Sequence, residues 1–349
     1  MAKFLLVSDV HIHPHKKNEQ RLYDCLNALE WAFETAIENN IQSILFCGDL
    51  FQTRQKIDVL SYQKTFELFE KYALSNLTVY LLLGNHDLWH KDKSDISSVN
   101  PLRSIPNVTI IAKPSVLKIE GVPVAFLPYT ENPIVDVKLI EDKAKILCGH
   151  VAIDGALLNQ KYSTKADVSV EFDGDMQKVG VDIFDSFDRV FLGHYHAAQV
   201  LNDKVEYVGS PLQLNFGEAE QDKHIIIYDT DNDQKEYVKN TFSPEHIIIN
   251  EKNIDTVKVD NNFLRVQVET IASSDIQKLS EKLISENVGS LDFEELPRKN
   301  EEHDLEDVKS ILEDSANMIS KYVDMVEHDL DRDILLKIGQ KICDSAVDI

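Results

Sequence analysis

The chain of 349 residues is short of cysteine, of positive charge and of long apolar runs. Its four cysteines, Cys25, Cys47, Cys148 and Cys343, form no close pair and no zinc-type spacing. That argues against a disulfide framework and against a thiolate metal site. Cys47 and Cys148 end apolar runs and read as small core residues. No apolar stretch reaches the length that crosses a bilayer. The first residues lack the charged, apolar and small-residue sections of a secretory leader. The expected location is the cytoplasm, with no membrane association. No internal repeat or low-complexity tract is present.

The deficit of positive charge is the most restrictive absence. Lys and Arg number 36 against 60 Asp and Glu, a formal net charge of −24. Residues 1–120 hold 13 basic and 14 acidic side chains, whereas residues 301–349 hold 5 and 14. Affinity for nucleic acid comes largely from neutralising phosphates, so such a chain binds DNA poorly by itself. Either the substrate is not a polymer, or bound metals and a partner supply the positive field.

Five motifs each close an apolar run. They are Ser8-Asp9-Val10-His11, Gly48-Asp49, Gly84-Asn85-His86-Asp87, Gly149-His150 and Gly193-His194-Tyr195-His196. The runs before them, from Phe4-Leu5-Leu6-Val7 to Val190-Phe191-Leu192, read as buried strands. Sites in open α/β sheets form beyond the carboxyl ends of strands, so strands sharing one sheet would bring the motifs to one mouth. Asp9-x-His11 and His194-x-His196 each put two donors on one side of an extended segment. Asp49 can bridge two ions with its two oxygens, and Asn85 offers a neutral oxygen. His86 suits charge stabilisation or proton donation at a phosphate, and Asp87 could orient that imidazole or the loop. Singly, each motif is ordinary: Gly-Asp is usually a turn, and a lone His150 is more often a satisfied core group. Together they suit two divalent ions and hydrolysis of a phosphate ester.

Between the motifs, residues 3–8, 41–47 and 77–83 read as strands, and 19–39 and 58–74 as amphipathic helices. This alternation predicts a mostly parallel sheet. Short strands and turns follow around Glu120-Gly121 and Pro123. Residues 159–178 read as a polar surface loop over the site. Strand-like runs return at 187–193, 204–208 and 224–229. Loop signals at 241–260 mark a boundary. A strand at 263–269 and a helix at 274–285 suggest a small α+β domain. After a charged linker, Leu305, Val308, Leu312, Ala316, Ile319, Val323 and Val326 trace one helical stripe, and Ile334, Leu335, Ile338 and Ile342 a second. These either pack on their own domain or dock on a partner.

In this order the five motifs resemble the signature of the calcineurin-like metallophosphoesterases, over residues 1 to about 230. Gly48-Asp49-Leu50-Phe51 and Tyr207-Val208-Gly209-Ser210-Pro211 look like the SbcD and Mre-eleven branch of DNA-repair nucleases. The size and acidic tail look like the phage recombination endonuclease subunits. The resemblance implies an α/β fold, a β-sandwich flanked by helices (αββα) with a small α+β cap and a helical tail. The implied domains are 1–242 for the nuclease, 243–297 for the cap, and 298–349 for a linker and tail that bind an ATPase.

It further implies one ion held by Asp9, His11, Asp49 and His196, and a second by Asp49, Asn85, His150 and His194. His86 would act on the scissile phosphate, with Asp87 beside it. Mn2+ is the implied metal, with Mg2+ as the alternative. The mixed nitrogen and oxygen ligands suit manganese better. The implied activity is exonuclease and endonuclease cleavage in DNA recombination, repair and replication. The implied partners are DNA, an SbcC-type coiled-coil ABC ATPase bound through the C-terminal helices, and a second nuclease copy within a heterotetramer.

The chain departs from its relatives at His13, where glycine is common. It also departs at Gln52, where several carry a histidine linked to exonuclease action, which leaves the exonuclease–endonuclease balance open. His13 and His15 are expected to face solvent. His90, His224, His246, His303 and His328 are expected at the surface or in packing. Two rival readings stand beside the nuclease: a stand-alone phosphomonoesterase or cyclic-nucleotide phosphodiesterase, and a non-catalytic scaffold that keeps its metals for structure.

Overall fold

The computed structural model describes residues 2–15, 18–91, 93–159, 164–250, 253, 259–268 and 273–296. The linker and helical tail expected over 298–349 lie outside the described residues. Two six-stranded mixed sheets pack face to face.

The first sheet begins with β1 (Lys3–Val7), α1 (Glu19–Glu38), β2 (Ser43–Phe46), α2 (Val59–Lys71), β3 (Thr78–Leu82) and β4 (Val108–Ile111). Strands β1 to β4 run parallel. Helix α1 starts where the Asn18 side chain accepts from the Gln20 amide at 2.9 Å. Its stripe of Leu22, Cys25, Leu26, Leu29, Ala32, Phe33 and Ala36 is buried. Asp58 caps α2 in the same way, accepting from Ser61 N at 2.9 Å.

The second sheet is built from β5 (Ser115–Ile119), β6 (Val122–Leu127), β7 (Ile146–His150), β12 (Arg189–Gly193), β13 (Gln199–Val200) and β14 (Val205–Tyr207). Its order is β13-β14-β12-β7-β6-β5, with β6, β7, β12 and β14 parallel. The short helix α3 (Pro133–Val137) covers its outer face. The chain then returns to the first sheet through β15 (His224–Asp229), antiparallel to β1, and β16 (Gln234–Lys239).

Side chains alternate with period two along each strand and divide the core into three layers. Leu5, Val7, Ile44, Phe46, Val79 and Leu81 face the helices. Phe4, Leu6, Leu45, Cys47, Leu82, Phe126, Cys148 and Phe191 fill the space between the sheets. Ala125, Leu127, Leu147, Val190 and Leu192 face the outer side of the second sheet. This is the αββα sandwich. Cys25, Cys47 and Cys148 are free and buried. Among the described residues no helix is long and apolar enough to cross a membrane.

Two expectations change, and one condition is met differently. The motif-bearing strands do not share one sheet: β1, β2 and β3 belong to the first and β7 and β12 to the second, as in the sandwich that the resemblance implies. Apolar periodicity marks a strand as buried without saying which strands it pairs with. Residues 159–178 are not a plain loop. They carry β9 (Thr164–Lys165), paired with β8 (Leu157–Asn159), and the hairpin β10 (Ser169–Phe172) and β11 (Asp175–Lys178). The hairpin turns at Asp173-Gly174, both at positive φ, the dipeptide that favours such turns. Finally, β17 (His246–Asn250) lies where a loop was expected, in a three-stranded sheet with β18 (Phe263–Val268) and β19 (Ser290–Glu295) beside α4 (Ser273–Ser285). His246 N donates to Gln213 Oε1 at 2.6 Å, and Arg265 lies 4.3 Å over the Phe216 ring. The described residues within 1–267 and 271–294 form one compact unit.

Candidate metal centre

The carboxyl ends of β1, β2 and β3 meet those of β7 and β12, and the five motifs lie at that seam. The loops from the first sheet are tied by their backbones. Asp9 N donates to Gly48 O at 3.0 Å, His11 N to Asp49 O at 3.2 Å and Ile12 N to Leu50 O at 2.8 Å. Asp9, His11 and Asp49 all take positive φ, 52°, 50° and 58°. That conformation is costly for residues with a Cβ and turns the side chains inward together. Gly84 is required by close approach: a Cβ there would lie 2.1 Å from Asp49 Oδ1.

Eight side chains converge. His11 Nε2 is 3.8 Å from Asp9 Oδ1 and 3.6 Å from Asp49 Oδ2. His150 Nε2 is 3.4 Å from the same Asp49 Oδ2 and 3.0 Å from Asn85 Oδ1. His194 Nδ1 is 2.9 Å from Asn85 Oδ1 and 3.4 Å from His150 Nε2. Asp9, His11 and His196 offer ligand atoms within 4.8 Å of one another, as do Asp9, Asp49 and His150, and His11, Asp49 and His86. The sequence therefore named residues that the fold brings together. An open cleft of about 190 Å³, lined in part by His194, Tyr195, His196 and Asn215, reaches the seam.

The donor set fits divalent cations. His11 is 1% exposed, yet neither ring nitrogen has a hydrogen-bond partner. Its Nε2, orphaned between two carboxylates, is costly unless something cationic accepts its lone pair. His150 Nδ1 donates to Cys47 O at 2.8 Å, which aims its Nε2 at Asp49 Oδ2 and Asn85 Oδ1. Imidazole nitrogen converging with carboxylate and amide oxygen suits a first-row divalent metal.

Electrostatics agree. Burial pushes Asp49 up, but His150 and His11 hold it well below the usual carboxylate range. Burial likewise opposes ionisation of Asp9, and the neighbouring His11 imidazole with the charges of His150 and His196 reverses this. Burial lowers His150, and Asp49 beside it outweighs that, raising it to about 9. His194 falls to about 4 through burial and the neighbouring His150, which leaves its lone pair free.

Asp87, expected beside His86 in the catalytic pair, stands behind the site instead. It is wholly buried. Its carboxylate accepts from Asp49 N and Gly84 N, each at 2.9 Å, from Leu50 N at 3.1 Å and from Phe51 N at 3.4 Å. It ties the second motif to the third and does not touch the imidazole. His86 is held by Gln52, whose carbonyl accepts from Nδ1 at 2.6 Å. Its ring stands edge-on to His11 at 4.9 Å.

Two groups were missed by sequence reasoning. Ser8 Oγ lies 2.6 Å from Asp9 Oδ2 and steadies that carboxylate. Glu218 Oε1 lies 2.9 Å from His196 Nδ1. Ser8 stands inside the first motif but was given no role there, and Glu218 lies outside all five. His13 and His15, expected in solvent, are half-buried with rings 5.1 Å apart. Burial and Arg21 bring His15 down to about 4. His246 is a packing residue, stacked on Phe263 at 4.9 Å and edge-on to Phe216 at 4.9 Å.

Comparison with known proteins agrees with this geometry. The model of the family described as calcineurin-like phosphoesterase matches residues 2–198. Exonuclease subunit 1 of Enterobacteria phage T4 is 24% identical over 242 residues, 68% of this chain and 68% of that protein. The SbcD component of the nuclease SbcCD from Escherichia coli K12 is 24% identical over 291 residues, 69% of this chain and 68% of that protein. Among solved structures, the Pseudomonas putida nuclease MPE is similar at 16% identity and a TM-score of 0.32, covering 67% of this chain and 87% of that one.

Proposed function

The chain belongs to the calcineurin-like phosphoesterase family, as a metal-dependent hydrolase, and from that premise we propose that it is a DNA nuclease subunit. It cleaves phosphodiester bonds with two divalent ions, Mn2+ by preference, and works with a coiled-coil ATPase in recombination and repair. The observation that carries this is the convergence of Asp9, His11, Asp49, Asn85, His150, His194 and His196 around unpartnered nitrogens. The names of the relatives, nuclease subunits in a phage and a bacterium, support the substrate and the existence of a partner.

Asp9, His11, Asp49 and His196 would hold one ion, and Asp49, Asn85, His150 and His194 the other. Such ions supply Lewis acidity toward the phosphoryl oxygens and an activated water. The chain's own residues do the rest. Asp49 faces both groups of ligands and is fixed by the His86 amide, which donates to Oδ1 at 2.7 Å. His86 donates Nδ1–H to Gln52 O, which leaves Nε2 for the substrate. There it steadies charge on the phosphate or passes a proton to the leaving oxygen. The acidic charge of the chain fits a subunit whose partner provides much of the grip on DNA.

The test is digestion of end-labelled linear double-stranded DNA in Mn2+, beside Asp49→Ala. Loss of label that disappears in the variant is the expected result. A protein that prefers a phosphomonoester over both DNA and a small chromogenic diester would overturn the nuclease reading. For the partner, removing residues 300–349 should abolish co-purification with the ATPase while activity on the small diester persists. Retained co-purification would sink the tail assignment.

A further inference from the structure

Glu218 belongs to none of the five motifs, yet it is buried behind one of their histidines at 6% exposure. It closes the single turn Phe216–Glu218, which Asn215 caps by accepting from Gly217 N at 2.8 Å. Oε1 sits 2.9 Å from His196 Nδ1. Oε2 sits 2.6 Å from Lys223 Nζ and accepts from Leu214 N at 3.2 Å and Ser210 Oγ at 3.3 Å. Lys223 is equally buried, and it also donates to His196 O and to Ser210 Oγ, each at 2.9 Å.

An ionised carboxylate only accepts, so the hydrogen of His196 is on Nδ1 and its lone pair on Nε2. Two of the other imidazoles have neutral acceptors. His150 Nδ1 rests on the carbonyl of Cys47 and His86 Nδ1 on that of Gln52. A charged acceptor raises the basicity of the distal nitrogen more than a carbonyl does. Burying a carboxylate and an ammonium together is a poor way to stabilise a loop, since desolvation consumes most of the attraction. The pair is better accounted for by what it does to His196.

We propose that Glu218 is a positioning residue. With Lys223 as its buried counter-ion, it fixes the tautomer and direction of His196 and strengthens it as a donor to the ion shared with Asp9, His11 and Asp49. The inference rests on the two-ion reading given above. It makes the two ion positions unequal: the one served by His196 has a carboxylate behind its imidazole, the one served by His150 a carbonyl.

The experiment titrates chelator-stripped protein with Mn2+ by calorimetry and follows Mn2+ activation of diester hydrolysis. It compares wild type, Glu218→Gln, Lys223→Met and the double variant, with urea unfolding of each metal-free protein alongside. Wild type should take up two ions. Glu218→Gln should bind one of them about 10–100-fold more weakly. Its Mn2+ activation midpoint should rise accordingly, with kcat recovered to within a factor of about 3 at saturating Mn2+. The double variant has no unpaired buried charge. It should regain stability over either single variant while keeping the weakened site. If Glu218→Gln binds both ions with wild-type affinity, or if the double variant recovers affinity together with stability, Glu218 serves only the fold and the inference fails. If wild type itself takes fewer than two ions, the two-ion reading falls, and the inference with it.

Discussion

The two sheets furnish the metal centre with different chemistry and support it differently. From the first come both carboxylates, the amide oxygen of Asn85, and the imidazoles of His11 and His86. From the second come imidazoles alone: His150, His194 and His196. The first set is locked by backbone. Its loops exchange amide hydrogen bonds with one another and with the Asp87 carboxylate. The second set is held mostly by contacts that cross the seam: His150 on Cys47 O, the His194 amide on the Asp9 carboxylate at 3.1 Å, and His196 on Glu218. The division follows charge. Carboxylates brought together repel, so they need a rigid frame to hold them, whereas imidazoles are drawn toward that negative charge. Substitutions in the first set should therefore disturb fold and chemistry together, and those in the second mainly metal affinity.

The largest effect expected is that of Asp49→Ala, which removes the carboxylate facing both groups of ligands. Hydrolysis of a small diester should fall by at least about three orders of magnitude, roughly 4 kcal/mol of transition-state stabilisation. Steady-state kinetics at saturating Mn2+ would measure it, and a loss of less than about tenfold would remove Asp49 from the centre. Next comes Asp87→Ala. It strips four buried amides of their acceptor, and each unsatisfied group costs about 1–3 kcal/mol. Because the four share one carboxylate, the total should be about 3 kcal/mol or more, read by urea unfolding of the metal-free protein. His194→Ala is the counterpart from the second sheet. It retains the backbone amide that Asp9 accepts from. Its metal-free stability should stay within about 1 kcal/mol of wild type, while calorimetry shows at least one Mn2+ site lost. Equal destabilisation by Asp87→Ala and His194→Ala would erase the distinction between the halves.

The sequence made the converging side chains legible because each stands directly after an apolar run that must end at the surface of a core. It could not reveal that β1–β3 and β7–β12 lie in separate sheets, since burial on both faces reads the same in either arrangement. The hairpin at 169–178 was concealed by its exposure: Asp175–Lys178 buries nothing, so no alternation betrays it. Yet Asp173-Gly174 was a usable turn signal. Glu218 was invisible for a different reason. An acidic residue in a Gly- and Asn-containing turn reads as solvated, and only the fold brings Lys223 and His196 to it. For Asp87 the sequence left two roles open, orienting the imidazole or the loop, and only the fold, which sets its carboxylate among four backbone amides, selects the loop.

The effect expected farthest from the chemistry concerns the outer support of the second set. His246 stacks on Phe263 and stands edge-on to Phe216, which is two residues from Glu218, and its Nδ1 has no hydrogen-bond partner. Burial, reinforced by the charge of Arg21, pushes it from 6.5 down to about 3. The unfolded chain therefore takes up a proton near pH 6.5 that the folded protein refuses until about pH 3. Stability contributed by neutral His246 is complete above pH 6.5 and is lost as pH falls through this window. The loss is at most about 1.4 kcal/mol per pH unit. His246→Phe keeps the stack and removes the titration. Wild type and variant should differ in the slope of unfolding free energy against pH between 6 and 4, with the variant flatter, whatever their absolute stabilities. His15, which is pushed down in the same way, contributes to both proteins and cancels. Parallel slopes would mean that His246 already reaches water in the folded state, and that the packing around Phe216 and Glu218 is looser than the stack implies.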